Sequence, residues 1–467
     1  MGEEHKRKEE RELIKKFEAF LKNRENHYFD EDNFIRIINY YNVHNKLKQA
    51  IKAANVALDQ IPYSVDITIE KADILVKQEQ SNEALDLLDE TLNIHPNDPE
   101  LLLQKGAIHC MVSEYKEAIS AYTGALVNVE DKDEVYFSIG MAYQGLGKYM
   151  DAAKYYKKAI EINILNENAL YELAYCLDVS GELESSLSYY QQFIDQDPYS
   201  EYAWYNLGIV YNKLGKFEEA VDAYEYAVAI DEDFSSAWFN MGNAQMNLGH
   251  YDKALAAYFK TFDLEGASPE TYCHIGAAYD KLSQSDLAIK YYQKATKLDQ
   301  MYHEAWYGIG VCLAVQDKWY EAIHFLNRAL KLDAENGLYW KAVADVEYKT
   351  GNLVSSIEAY REASEINAGD PAVWLDWSMV YYEQGDYDQA ISILEAGLDE
   401  CPDSTEMYYR GVVYLIGSGS YKNAINRLET ALMLDFEGHQ VLFEFFPNLS
   451  TQKALYRIID QFRKDHQ

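Results

Sequence analysis

An all-helical tandem-repeat architecture is predicted for this chain, on three observations. A pattern of 34 residues recurs twelve times with no insertion or deletion. One position of the pattern holds only Ala or Ser. Apolar residues within each copy fall at helical spacing.

The copy from Glu201 reads EYAWYNLGIVYNKLGKFEEAVDAYEYAVAIDEDF, and the one from Ser235 reads SSAWFNMGNAQMNLGHYDKALAAYFKTFDLEGAS. Trp204 aligns with Trp238 at position four, and Gly208 with Gly242 at position eight. The same frame starts copies at Glu31, Val65, Pro99, Asp133, Glu167, Glu201, Ser235, Pro269, His303, Gly337, Pro371 and Thr405. The last ends at Gly438, so the frame spans 408 of 467 residues.

Position twenty holds Ala50, Ala84, Ala118, Ala152, Ser186, Ala220, Ala254, Ala288, Ala322, Ser356, Ala390 and Ala424. Two helices are expected to approach closely there, where a longer side chain would cost about 1–3 kcal/mol in overpacking.

Each copy predicts two amphipathic helices. Trp204, Leu207, Gly208 and Tyr211 fall at i, i+3, i+4 and i+7, and Phe217, Ala220, Tyr224 and Ala227 repeat that spacing. The turn between them carries Gly147, Gly181, Gly215, Gly249, Gly351, Gly385 and Gly419, which suits a left-handed backbone. The prolines fall between helices or at a helix start: Pro62, Pro96, Pro198 and Pro402 at position thirty-two, Pro99, Pro269 and Pro371 at position one.

Residues 1–30 read as an N-terminal capping helix. Leu13, Phe17 and Phe20 take the places of a second helix, with Lys16 at position twenty. Residues 439–467 read as a truncated thirteenth copy: Leu442, Phe445 and Phe446 begin it, Pro447 stops its first helix, and Leu455, Ile458 and Phe462 form its second. Caps are expected because a terminal helix pair exposes its apolar face.

The pattern resembles the tetratricopeptide repeat family over those 408 residues. The resemblance implies antiparallel helix pairs stacked in a right-handed α-α superhelix, or solenoid. It also implies first helices lining a concave groove and second helices forming the outer wall. Phe34, Thr68 and Leu102 depart from the family's Trp or Tyr at position four, and Phe193 and Gly397 from its small Ala at position twenty-seven.

Composition narrows the function. Lys plus Arg number 42 and Asp plus Glu 77, a net charge of −35. Such a chain repels nucleic acid and anionic membrane surfaces and favours basic partners. No apolar run approaches the ~18 residues needed to span a bilayer, so membrane insertion is not expected. The start lacks a signal peptide's apolar core, and Lys6 stands where a myristoylation signal wants Ser or Thr. The five cysteines are scattered and form no C-x-x-C pair, which suits a reducing compartment. A cytoplasmic location is the resulting expectation.

No enzyme is expected, because nearly every residue belongs to the repeat frame. Residues 1–30 and 439–467 are too short for a catalytic domain. Cys273, His274 and Asp280 have the wrong spacing for a metal site, and Gly417-Ser-Gly-Ser420 lacks the Gly-Lys-Ser/Thr of a phosphate loop. No cofactor or metal is expected.

The family's groove takes positions two, five, six, nine and twelve of the first helices. Acids stand there at Asp32, Asp66, Glu70, Asp73, Glu100, Glu134, Glu172, Asp178, Glu270, Asp280, Glu304, Asp345, Asp376 and Glu406, against only Arg36, Lys341 and Arg410. The implied groove is acidic. The carboxylate clamp by which some family members grip acidic chaperone tails is broken. Lys341 matches it, but Asp345 and Asp376 stand where asparagines belong.

The candidate binding residues are Tyr171, Tyr175, Tyr202, Tyr205, Asn206, Phe239, Asn240 and Asn243. Amides can hydrogen-bond the backbone of an extended peptide, and aromatic faces accept side chains or cations. The plainer reading is that these are ordinary consensus residues. The expected function is a protein-interaction scaffold that binds an extended, basic or polar protein segment. The alternative is a self-assembling scaffold, a homo-oligomer joined through array ends or outer wall.

Overall fold

The computed structural model describes residues 2–22, 28–446 and 453–465, and no strand occurs among them. The chain divides into two compact units, Met1–Glu232 and Asp233–Gln467. In each unit, helix pairs stack on their sequence neighbours as an α-α solenoid. The first unit opens with Gly2–Leu21 and continues through pairs such as Glu31–Val43 with Leu47–Gln60 and Glu201–Lys213 with Phe217–Ile230. The second unit runs from Ser235–Asn247 with Tyr251–Glu265 to Thr405–Gly417 with Tyr421–Leu434. It closes with the 3-10 turn Glu437–Val441, the short helix Leu442–Phe445 and the helix Lys453–Asp465.

The residues at position twenty are all sealed. Eleven of the twelve have 0% exposure and Ala424 has 1%. The glycines at position eight have an equally steric cause. A Cβ on Gly140, Gly208 or Gly242 would lie 2.5 Å from Cε1 of Tyr156, Tyr224 or Tyr258, sixteen residues later. The tyrosine ring therefore occupies the space that a side chain at position eight would need.

Position four fixes the preceding loop. The indole N–H of Trp204 donates to the Pro198 carbonyl (3.0 Å), Trp306 to Gln300 (3.0 Å), Trp340 to Ala334 (2.8 Å) and Trp374 to Ala368 (2.8 Å). Each bond spans six residues, so the same tryptophan closes the entry to its own helix. At the helix starts, Ser200 Oγ, which caps the helix Glu201–Lys213, accepts from the Ala203 amide (3.1 Å) and donates to Glu167, the first residue of the preceding copy's first helix (2.6 Å). This cap satisfies an orphan amide and ties two copies together.

The turn after each first helix is left-handed in every copy. Gly147, Gly181, Gly215, Gly249, Gly351, Gly385 and Gly419 have φ between 71° and 83°. The other five copies place Asn45, Glu79, Ser113, Ser283 and Asp317 at the same position, with φ between 54° and 62°. The Lys216 amide bonds back to the Tyr211 carbonyl (2.9 Å), the closing bond of a Schellman-type helix end.

At the N-terminal end Phe17 is fully buried and meets Phe29 edge-on (5.7 Å) and Phe34 edge-on (6.3 Å), while Lys16 is exposed. At the C-terminal end Leu455 and Ile459 point inward, four residues apart on one face of Lys453–Asp465, and Ile458 is only half-buried. Ile458 is thus less enclosed than the residues at position twenty. Phe462 stacks on Phe436 (5.8 Å). Pro447, expected to stop the helix before it, lies outside the described residues.

Candidate functional site

In the first unit, Tyr171, Tyr175 and Asn206 come together around a pocket of about 210 Å³. It lies between the first helices of two successive copies, Glu167–Val179 and Glu201–Lys213. The floor and walls are apolar: Ala174, Leu183, Ile209 and Val210, with Tyr190 beneath. Tyr171 and Tyr175 remain 52% and 42% exposed, which is unusual for rings beside an apolar cavity. Asp178 and Lys213 also line the pocket and form an ion pair with each other.

The pocket adjoins an interruption in the fold. The second helix of this copy begins as a 3-10 turn, Leu183–Ser186, and becomes α-helical only over Leu187–Gln196. Among the described residues, the second helices of the other copies are α-helical from their start. A short 3-10 stretch changes the pitch of the turn, and here it carries the pocket residue Leu183.

Polar groups beside the pocket are held in place. Gln144 donates to Glu172 (2.8 Å), and its carbonyl oxygen accepts from the Tyr156 hydroxyl (2.8 Å) and the Cys176 thiol (3.5 Å). Tyr149 meets Tyr175 edge-on (6.1 Å), and its nearby hydroxyl raises the Tyr175 phenol above its ordinary value. Burial pushes the Cys176 thiol up to about 11, which makes it a poor nucleophile.

Tyr202 is exposed, and Tyr205 tilts against Tyr224 (6.0 Å); neither lines the pocket. Phe239, Asn240 and Asn243 belong to the second unit. There Phe239 packs edge-on against His274 (4.9 Å) and tilts on Tyr258 (5.7 Å). The Asn243 carbonyl oxygen accepts from the Tyr258 hydroxyl (2.7 Å), so half of that amide has a partner within its own copy.

The carboxylates at the groove positions are partly engaged inside the chain. Asn39 donates to Glu70 (3.0 Å), and Cys312 donates to Asp280 (3.3 Å). Burial raises the Glu70 carboxyl above its ordinary value. In the second unit Lys341 pairs with Asp345 (3.1 Å) and Asp376 (2.7 Å), the two carboxylates that stand where the clamp's asparagines would be. Burial alone would lower the Lys341 ammonium, but these two neighbours outweigh it and raise the value. Arg410 pairs with Glu406 (3.2 Å) and lies over the Phe445 ring (4.8 Å). Two of the three bases at groove positions are therefore neutralised by their own surroundings.

The sequence pattern did not single out Leu183, Tyr190, Ile209 or the Asp178–Lys213 pair. Leu183 and Tyr190 belong to a second helix, whose positions the groove pattern does not include. No cluster of three or more His, Cys, Asp or Glu side chains able to hold a metal occurs among the described residues. No helix among them is long and apolar enough to cross a membrane.

Comparison with known proteins gives a consistent assignment. Two tetratricopeptide repeat family models match, one at residues 134–163 and 201–234 and the other at 168–200. The cilia and flagella-associated protein 70 C-terminal domain matches residues 232–441. The general transcriptional corepressor ssn6 of Schizosaccharomyces pombe is 26% identical over 136 residues, 29% of this chain. The match spans only 12% of that corepressor's length. Among solved structures, the APC/C hetero-tetramer Cut9-Hcn1 aligns with a TM-score of 0.43 and 18% identity over 85% of this chain and 90% of that one. YrrB, described as a TPR protein with an unusual peptide-binding site, aligns with a TM-score of 0.32 and 20% identity over 38% of this chain and 91% of its own.

Proposed function

The chain belongs to the tetratricopeptide repeat family, and from that premise we propose that it is a protein-interaction scaffold whose first unit captures an extended segment of a partner protein. Proteins of this family are generally non-enzymatic scaffolds, and no catalytic role is proposed. The observation that carries the reading is the exposed pair Tyr171 and Tyr175 facing Asn206 across the pocket. Amide and phenol groups there supply donors and acceptors for a peptide backbone. The acidic excess of the chain favours a segment rich in Lys or Arg.

The test is affinity purification from native lysate with wild type, Tyr171→Ala and Asn206→Ala, washed at two salt concentrations. Loss of the same co-purifying band in both variants, with helicity unchanged, supports the reading. Weaker retention at high salt is expected if the acids contribute. Capture unaffected by either substitution places the interaction elsewhere.

A second reading is self-association through the C-terminal end. It draws on Phe443 and Tyr456, which are 45% and 50% exposed on the terminal elements. Sedimentation over a concentration series decides it, and a monomer at every concentration removes it.

A further inference from the structure

The pocket in the first unit differs in chemistry from the groove positions on its N-terminal side, where Glu134 and Glu172 stand. Its interior surface comes from Ala174, Leu183, Ile209, Val210 and the tyrosine rings. The one carboxylate among its lining residues, Asp178, is paired with Lys213 and has no free charge to offer a cation. An ammonium or guanidinium placed inside would lose its hydration for a mostly apolar lining. An aliphatic or aromatic side chain would leave water for that lining favourably. Outside, Glu134 is exposed and Glu172 half-buried on the first helices of neighbouring copies. The polarity thus changes from apolar within the pocket to acidic on the N-terminal side of it.

We propose that the pocket seats a single aliphatic or aromatic side chain of the partner segment, with a Lys or Arg beside it on the side of Glu134 and Glu172. The inference rests on the groove reading above and adds what the segment must carry. It also narrows the sequence-based expectation of an extended, basic or polar segment. The anchor is apolar, and the cation lies beside it. The 3-10 turn Leu183–Ser186 is what distinguishes this copy from the others as the place for an anchor.

The experiment uses the full chain and a display library of random twelve-residue peptides. Enriched peptides are synthesised with a fluorescent label and titrated against wild type and Ile209→Trp, in which the larger ring fills the pocket. Ile209 is only half-buried, so the fold should tolerate the change, and the circular dichroism melt checks this. Tyr171→Ala, at an exposed position, is the second variant should Ile209→Trp not fold.

Enriched peptides are expected to share one Leu, Ile, Met or Phe close to Lys or Arg. Replacing that residue with Ser should weaken binding to wild type about tenfold or more, and should matter little in the pocket variant. Peptides that carry only basic and polar residues, or an apolar residue whose loss costs the same in both proteins, overturn the inference. The groove reading survives that outcome if Asn206→Ala still weakens them. No enrichment, or binding indifferent to both Tyr171→Ala and Asn206→Ala, overturns both.

Discussion

The indole of Trp374 lies over the backbone of Gly397, where an added Cβ would come within 2.6 Å of the ring's Cγ. These residues occupy positions four and twenty-seven of one copy. Elsewhere position twenty-seven holds Ala beneath Trp204, Trp306 and Trp340. In another copy the two positions hold Thr68 and Thr91, whose hydroxyls meet at 3.2 Å. Where position twenty-seven is Phe193, position four shrinks to Leu170. The phenylalanine that breaks the consensus is thus paired with a smaller residue at the position it faces, whereas the glycine faces an unchanged tryptophan and lets it sit deeper. Trp374 is 7% exposed, deeper than its half-buried counterparts.

Gly397→Ala should therefore lower the thermal midpoint. Overpacking of about 1–3 kcal/mol is offset by about 1 kcal/mol of improved helix propensity. Combining it with Trp374→Leu should cost less than the sum of the two single changes. Additive losses in a denaturation cycle would show that the contact does not constrain the pair.

Glu79 and Ser283 take the left-handed turn with φ of 62° and 59°. Replacing either with Gly relieves strain of about 1–2 kcal/mol, less the entropy Gly adds to the unfolded chain. A modest rise in the unfolding midpoint is expected. Asn45 and Asp317 should gain less, because their side chains tolerate this region better. Gly215→Ala, the reverse change at φ 72°, should destabilise. Equal responses at Glu79, Ser283, Asn45 and Asp317 would remove the strain argument.

His274 is held below the ordinary histidine value of 6.5, chiefly because burial penalises the cation; Glu270 and Glu304 pull the other way. Between that depressed value and 6.5 the unfolded chain binds the proton more readily than the folded one. The associated stability is present above 6.5 and falls as pH drops through this window. His274→Phe should therefore be more stable relative to wild type at pH about 5.5 than at about 7.5. A wild-type-minus-variant melting difference that does not change with pH would contradict this.

Lys341→Met leaves Asp345 and Asp376 near one another without their shared cation. A loss of about 1–3 kcal/mol is expected, read as a lower urea midpoint. Adding Asp345→Asn and Asp376→Asn to Lys341→Met should recover part of that loss. No recovery would contradict a role for the lysine in balancing these two carboxylates.

Much of the fold was legible because its determinants are local and recur. Ala220 and Gly208 announce close approach by their size, and Gly215 announces a turn by its missing Cβ. Repetition turned weak single-residue signals into a strong one. The site was less legible. Tyr171, Tyr175 and Asn206 could be chosen from their helix positions, but the cavity they line also takes in Leu183, where the second helix opens as the 3-10 turn Leu183–Ser186. No residue in that stretch announces the change, since Leu and Ser are both acceptable in an α-helix. Asn243 has the same residue type as Asn206 but is held by the Tyr258 hydroxyl, a contact set by side-chain reach rather than periodicity.

The left-handed turns also act as punctuation for the chain as hereditary text. Gly351 and Gly385 stand one period apart and share the same backbone geometry. Excising the residues from one up to the other would rejoin a turn to an equivalent turn, with each junction still offering Trp, Ala and Gly partners of the right kind. Excising a single residue inside a helix would turn the rest of that helix by about 100° and swing its sealed small residue away from the neighbour it packs on. Change by whole periods should thus be far better tolerated than change by fractions, so the array can lengthen or shorten by recombination without redesigning its core.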